Sequence, residues 1–97
     1  MKIELNGRKA IVTGSTAGIG RAIAEGLARA GAAVVLNGRT QERVDAALRE
    51  MRAILPTAEL TGIAADVAAP EGCAALFAQA PEADILVNNA GTARLND

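Results

Sequence analysis

The stretch TGSTAGIG, residues 13–20, stands between the apolar run Ala10-Ile11-Val12 and a segment of helical period. A glycine-rich turn that joins a strand to a helix is a place where proteins bind phosphate, because the free N–H groups and the positive end of the helix dipole face the anion. Gly14 would permit a tight turn, Gly18 a close approach of ligand to backbone, and Gly20 close packing of helix on strand. The stretch therefore predicts a β-α unit that can hold a phosphate group.

The spacing of these glycines leaves more than one interpretation open. It is G-x-x-x-G-x-G, whereas the commonest dinucleotide fingerprint is G-x-G-x-x-G. A P-loop is excluded, because Ile19-Gly20-Arg21 follows Gly18 where Gly-Lys-Ser/Thr would be needed. A helix-start turn without a ligand stays possible, since the chain has 10 glycines in 97 residues.

Composition predicts one folded domain over residues 1–97, with 51% hydrophobic and 22% charged residues. The net charge is -1 without a cluster of Lys and Arg, and Phe77 is the only aromatic residue, so nucleic-acid binding is not expected. No apolar run approaches the roughly 18 residues of a membrane span, and the start of the chain has no signal-peptide core. We therefore expect no membrane partner and a cytoplasmic location.

Cys73 is the only cysteine, and the chain has no histidine. These counts exclude an internal disulfide, a multi-cysteine zinc site and Ser-His-Asp catalysis, so no metal is expected. Cys73 is interpreted as a small helix residue rather than a nucleophile.

Strands and helices alternate along the chain. The predicted strands are Lys9–Thr13, Ala32–Asn37, Leu60–Ala65 and Asp84–Asn88, and the predicted helices begin near Gly18, after the N-cap Thr40, and at Pro70, the last reaching Ala80. The order βαβαβαβ with short connections predicts an α/β fold with a doubly wound parallel sheet and the strand order 3-2-1-4. The ligand crevice would lie at the carboxyl ends of strands one and four.

Apolar spacing also predicts which helix faces meet the sheet. Ile19, Ile23 and Leu27 repeat at i, i+4 and i+8, so this row is expected to pack inward in the first helix. In the third helix, Leu76 and Phe77 are expected to face the core.

Three motifs in register resemble the N-terminal half of the short-chain dehydrogenases/reductases. They are LNGRKAIVTGSTAGIG at residues 5–20, ADV at 65–67 and LVNNAG at 86–91. The resemblance implies a Rossmann-type fold and an NAD(P)(H)-dependent oxidoreductase that transfers hydride to or from a carbonyl or alcohol substrate. It also implies a homo-oligomer.

The resemblance assigns cofactor contacts position by position. Residues expected at the pyrophosphate and the neighbouring ribose are Gly14, Ser15, Thr16, Gly18 and Ile19. Asp66 would accept a hydrogen bond from the adenine amino group with Val67 alongside; the alternative is an Asp that only ends a strand in a turn.

The last motif, at residues 86–91, would serve the nicotinamide side. Asn89, Ala90 and Gly91 would line the ribose there, the alternative being an ordinary turn. Asn88 is expected to tie neighbouring strands together.

Cofactor choice depends on the end of the second strand, where an acidic residue would bind the ribose 2′-hydroxyl and repel a 2′-phosphate. Gly38 occupies that place and Arg39 follows it, with no Asp or Glu between Glu25 and Glu42. A guanidinium facing a phosphate accounts for Arg39 better than a surface arginine does, since a cation gains nothing at a helix N-terminus. Against this, Ala17 stands where many NADP-dependent members carry a second basic residue. We predict NADP(H), with NAD(H) as the alternative.

The family's catalytic residues are a Tyr, a Lys close after it and a Ser, and this chain has no Tyr. Its lysines, Lys2 and Lys9, stand at the start of the chain. No catalytic residue is therefore predicted, and the 97-residue chain alone is expected to be inactive. One hypothesis is the cofactor-binding half of an oxidoreductase; the other is a free-standing nucleotide-binding or interaction module without turnover.

Overall fold

The computed structural model describes residues 4–89, which form a four-stranded parallel sheet with three helices. The elements are β1 (Lys9–Val12), α1 (Gly18–Arg29), β2 (Ala33–Gly38), α2 (Gln41–Ile54), β3 (Leu60–Ala64), α3 (Pro70–Gln79) and β4 (Ile85–Val87). The strand order is β3-β2-β1-β4, so the predicted α/β doubly wound arrangement is confirmed.

The two central strands, β1 and β2, are buried on both faces of the sheet. Ile11 pairs with Val35, and Val12 pairs with Leu36 in the next register position. Successive side chains of a strand point to opposite faces, and all four of these residues are at most 1% exposed. Helices on both sides of the sheet therefore explain the uninterrupted apolar runs in these strands.

One face of the sheet is covered by α1 and α2. Val12, Val34 and Leu36 contribute to this core from the sheet. The helices contribute Ala24, Ala28, Val44, Ala47, Leu48 and Met51. The predicted N-cap of α2 is confirmed, since Thr40 Oγ1 accepts a 3.2 Å hydrogen bond from the Arg43 N–H.

The predicted inward row of α1 is wrong at its first member, because Ile19 is 76% exposed. The buried row is Gly20, Ala24 and Ala28, one position further along the helix. These small residues let the helix axis lie close to the sheet, while the larger Ile23 and Leu27 flank the contact and are only partly buried. Close packing has therefore overridden the preference for burying the largest side chains.

The other face is covered, among the described helices, by α3 alone. Leu76 and Ala80 pack there against Ile11 and Val35. Phe77 is 38% exposed, so its predicted place in the core is wrong. Leu86 of β4 pairs with Ile11 but is 51% exposed, because α3 covers the middle of this face and not its β4 side. Cys73 lies half-buried on α3, as predicted for a small helix residue.

The segment before β4 is anchored to the start of β1. The Lys9 backbone N–H donates a 3.0 Å hydrogen bond to Asp84 Oδ2, and Lys9 Nζ lies 2.5 Å from Glu82 Oε1. The hydrogen bond from Lys9 lowers the pKa of the exposed Glu82 carboxyl below its ordinary value. These contacts set the edge of β1 on which β4 pairs.

Candidate functional site

The turn between β1 and α1, residues 13–18 and called the glycine loop below, depends on its glycines for steric reasons. Gly14 and Gly18 have φ angles of 60° and 62°, which lie in the left-handed region that glycine tolerates. A Cβ on Gly20 would overlap the Gly14 carbonyl oxygen and lie 2.5 Å from Asn89 Nδ2. A Cβ on Gly18 would meet nothing within 4 Å, so the loop presents an open backbone at that point.

No capping side chain or acidic residue of the described chain compensates the unpaired N–H groups and the positive dipole end of α1. Its N-cap, Ala17, makes no side-chain hydrogen bond, and the first turn contains no acidic residue. By contrast, α2 has the Thr40 cap and Glu42, and α3 has Glu71 and begins with a proline, which has no N–H. Of the helices in residues 4–89, α1 is thus the one whose unpaired N–H groups and positive dipole end are left for an anion.

Ser15 holds the glycine loop to the end of β2. Its side chain is fully buried, and Oγ donates a 2.7 Å hydrogen bond to the Val12 carbonyl and accepts a 2.9 Å bond from the Asn37 N–H. Its own backbone N–H donates to the Asn37 carbonyl at 2.8 Å. The hydroxyl is therefore engaged within the protein, and the contact of Ser15 with a ligand stays a prediction.

Asn37 is the site residue that the sequence reasoning missed. It is 1% exposed, and its side-chain Nδ2 donates to the carbonyls of Ile63 at 3.1 Å and Ala65 at 3.2 Å. Its Oδ1 accepts a 3.2 Å hydrogen bond from the Gly14 N–H. The signal for it is a polar residue closing an otherwise apolar strand, since a buried amide must find partners at that point.

The end of β2 presents a cation and no acid. Arg39 is exposed and forms no hydrogen bond or ion pair with its side chain among residues 4–89. Gly38 just before it is buried, and a Cβ there would lie 2.6 Å from Thr16 Cγ2. Thr16 of the glycine loop thus occupies the space that a side chain at position 38 would need.

Asp66 follows the end of β3, next to the Ala65 carbonyl that binds Asn37. Its side chain is exposed, and Oδ1 accepts a 3.1 Å hydrogen bond from the Ala68 N–H. The turn of the alternative interpretation is therefore present, but Oδ2 makes no hydrogen bond within the described part of the chain. Val67 packs beside the cluster of Ile11 and Val35.

On the other side of the glycine loop, Asn89 ties β4 to β1. Its N–H donates to Thr13 Oγ1 at 2.9 Å, and its Nδ2 donates to the Gly14 carbonyl at 3.1 Å. Asn88 Oδ1 accepts a 3.4 Å hydrogen bond from Thr13 Oγ1, so Asn88 joins β4 to β1 as expected. Asn89 adds two shorter hydrogen bonds that were not predicted. Ala90 and Gly91 lie outside the described residues.

Other features of residues 4–89 do not compete with this site. Grooves of about 560 and 490 Å³ lie at the amino ends of the strands, opposite the glycine loop, and are open to solvent. No group of three or more His, Cys, Asp or Glu in this range is arranged to hold a metal ion. Among the helices of this range, none combines the length and the hydropathy that a membrane span needs.

Comparison with known proteins gives consistent matches. A model of the short chain dehydrogenase family matches residues 8–97. The chain is 50% identical over 91 residues to the uncharacterized oxidoreductase YvaG of Bacillus subtilis (strain 168), covering 94% of this chain and 34% of that protein. It is 41% identical over 93 residues to gluconate 5-dehydrogenase of Gluconobacter oxydans (strain 621H), covering 94% of this chain and 36% of that protein.

Among solved structures, L-sorbose reductase from Gluconobacter frateurii, complexed with NADPH and L-sorbose, superposes with a TM-score of 0.85 at 43% identity. The match covers 95% of this chain and 36% of that one. The chain thus spans about a third of the length of the relatives that it matches.

Proposed function

The chain belongs to the short chain dehydrogenase family, and on that premise we propose that it is the NADP(H)-binding part of an oxidoreductase. The proposed reaction is reversible hydride transfer between NADP(H) and a carbonyl or alcohol substrate. The cofactor, when bound, supplies or accepts the hydride, and the residues described above bind and orient it.

The observation that carries the proposal is the uncompensated N-terminus of α1. The exposed backbone of Gly18 and Ile19 presents N–H groups at the positive end of the helix dipole, without a capping side chain or an acidic neighbour in the first turn. A pyrophosphate at this position would accept those hydrogen bonds. The open space at the α-carbon of Gly18 leaves room for such a group.

The end of β2 supports NADP(H) over NAD(H). Arg39 offers a guanidinium with no ion pair among the described residues, and a 2′-phosphate is a bidentate partner for that group. Gly38 provides no carboxylate for a ribose 2′-hydroxyl. The NADPH complex of the sorbose reductase relative agrees with this choice, while Ala17 departs from the family's second basic position.

The remaining contacts surround the glycine loop. We propose that the free Oδ2 of Asp66 accepts a hydrogen bond from the adenine amino group, with Val67 alongside. Asn89, Ala90 and Gly91 would line the ribose on the nicotinamide side. The carbonyl or alcohol substrate and the catalytic Tyr would belong to a part of the protein outside these 97 residues, since the chain has no Tyr.

No observation in residues 4–89 favours a free-standing binding module over this proposal. The 97-residue chain alone is expected to bind the cofactor without turnover. A cytoplasmic location and a homo-oligomeric state stay predictions of the sequence and the family resemblance.

A substitution at the N-cap of α1 tests the proposal. Ala17→Asp should cap the helix and raise its stability by about 0.5–2 kcal/mol. The same carboxylate should repel the pyrophosphate, so that NADPH binds at least about tenfold more weakly. Thermal unfolding and NADPH fluorescence titration of the full-length protein measure the two effects.

Ala53→Asp, on the exposed far end of α2, is the control for added charge and should leave NADPH binding unchanged. Unchanged binding in Ala17→Asp would contradict the proposal.

A further inference from the structure

We propose that Asn37 is a positioning residue that sets the spacing between the glycine loop and the end of β3. The inference rests on the proposed NADP(H) binding, in which the glycine loop serves the pyrophosphate and Asp66 serves the adenine. Asn37 itself is buried, so it would act through the residues that it holds. Its role would be to hold the pyrophosphate end and the adenine end of the site at the distance that the dinucleotide requires.

The side chain of Asn37 connects two segments that no ladder joins directly, because β2 separates β1 from β3 in the sheet. One arm is Oδ1, which accepts from the Gly14 N–H at 3.2 Å. The other arm is Nδ2, which donates to the carbonyls of Ile63 and Ala65. Ala65 directly precedes Asp66, so one amide group fixes Gly14 of the glycine loop relative to the carboxylate proposed to bind the adenine.

Both polar atoms of this amide are satisfied, and their surroundings fix its orientation. The two carbonyls on the β3 side only accept hydrogen bonds, so the NH₂ group must face them. The Gly14 N–H only donates, so the amide oxygen must face the glycine loop. A buried polar network that is fully satisfied holds its members rigidly, whereas a partly satisfied one does not. The arrangement thus has the stiffness that a spacer needs.

The fold itself does not depend on this side chain alone. The backbone of Asn37 binds Ser15 through hydrogen bonds of 2.8 and 2.9 Å. The Ala65 N–H donates to the Gly38 carbonyl at 2.9 Å. Both segments therefore keep a backbone attachment to β2 when the amide is removed, and the expected defect is in their spacing.

Comparing the binding of a short and a long ligand distinguishes a spacing defect from general damage to the site. Adenosine 2′-monophosphate has the adenine and the 2′-phosphate but no pyrophosphate, so it would contact only the end near Asp66 and Arg39. NADPH would contact that end and the glycine loop together. Only the longer ligand is sensitive to the distance between them.

The test is the dissociation constant of each ligand for the full-length protein as wild type, Asn37→Ala and Asn37→Ser. Asn37→Ala removes both arms without adding charge. Asn37→Ser also adds no charge, offers a hydroxyl to the buried polar groups, and serves if the first variant does not fold. We expect NADPH to bind at least about tenfold more weakly, while the Kd of adenosine 2′-monophosphate changes less than about threefold. Asn6→Asp, at the exposed opposite end of the sheet, should change neither.

Equal weakening of both ligands, or no weakening of either in a folded variant, would overturn the positioning role. Wild-type protein that does not bind NADPH would instead refute the proposed function, and this inference with it. Failure of the positioning role would thus appear only in the Asn37 variants, whereas failure of the proposed function would appear already in the wild type.

Discussion

The side-chain Oδ1 of Asn37 accepts a 3.2 Å hydrogen bond from the backbone N–H of Gly14, so the last polar residue of β2 holds the turn that follows β1. The carbonyl of the same glycine accepts a 3.1 Å bond from Asn89 Nδ2, beyond the end of β4. One peptide segment is thus bound from both neighbouring strands, at the point where the strand order reverses. This is where open α/β sheets bind their ligands.

The contact between α1 and the glycine loop predicts opposite effects for two glycine-to-alanine changes in the same helix. Gly20→Ala should destabilise the protein by about 1–3 kcal/mol, because its Cβ would overlap the Gly14 carbonyl oxygen. It should also weaken NADPH binding, because the glycine loop has to move. Chemical denaturation and NADPH titration measure the two effects.

Gly26→Ala is the matched control, since a Cβ there meets nothing within 4 Å. This change should stabilise the protein by about 0.5–1 kcal/mol through the better helix propensity of alanine. Equal stability of the two variants would contradict the close helix–strand packing.

Thr16 and Gly38 predict a coupled change in cofactor preference. Gly38→Asp alone places its Cβ 2.6 Å from Thr16 Cγ2, so we expect a lowered melting temperature. Combining it with Thr16→Ser removes that methyl group and should restore the melting temperature. The double variant should then favour NADH over NADPH relative to wild type, since a carboxylate at position 38 binds a 2′-hydroxyl and repels a 2′-phosphate. Additive effects of the two substitutions on stability would refute the coupling.

Within residues 4–89, one side of β4 is uncovered, which predicts self-association of the isolated 97-residue chain. β4 pairs only with β1 among the described strands, and Leu86 is 51% exposed on the face that α3 shares. An exposed apolar edge recruits another chain. Sedimentation velocity should therefore show oligomers, and Leu86→Lys should reduce them.

Ile54→Lys is the control for that experiment, because Ile54 is similarly exposed, at 49%, but lies on α2 on the other side of the sheet. It should leave association unchanged. A monodisperse, cooperatively melting wild-type monomer of 97 residues would contradict the prediction.

The sequence predicted the order and type of every element, because the apolar runs and glycine turns are governed by local rules. Strand bounds differ from the structure by one residue at most at each end. The strand order 3-2-1-4 followed from the alternation of strands and helices together with the doubly wound pattern.

Helical periodicity predicted the wrong buried residues where the distance between helix and sheet decides which side chains are buried. In α1, the apolar row beginning at Ile19 was expected inside, but the smaller Gly20 row packs on the sheet. A helical period gives the width of a face and not how closely the helix approaches its neighbour. Phe77 failed for a similar reason, since α3 buries Leu76 and leaves the adjacent position partly exposed.

The local sequence pattern also could not predict the side-chain hydrogen bonds that hold the site together. Asn37 binds residues 23 positions before it and up to 28 positions after it. Family resemblance named the loop and Asp66 but gave no reason to single out this amide. A polar residue at the end of an apolar strand signals a buried amide, but its partners depend on which strands lie on either side of β2.

The most direct test of the account is the ratio of the dissociation constants for NADPH and NADH, in wild type and in Arg39→Asp. We expect wild type to bind NADPH at least about tenfold more tightly than NADH, and Arg39→Asp to abolish or reverse this preference. Arg49→Asp, the same charge change on the exposed face of α2, should keep the wild-type ratio. A ratio that Arg39→Asp leaves unchanged would contradict the assignment of this site to NADP(H).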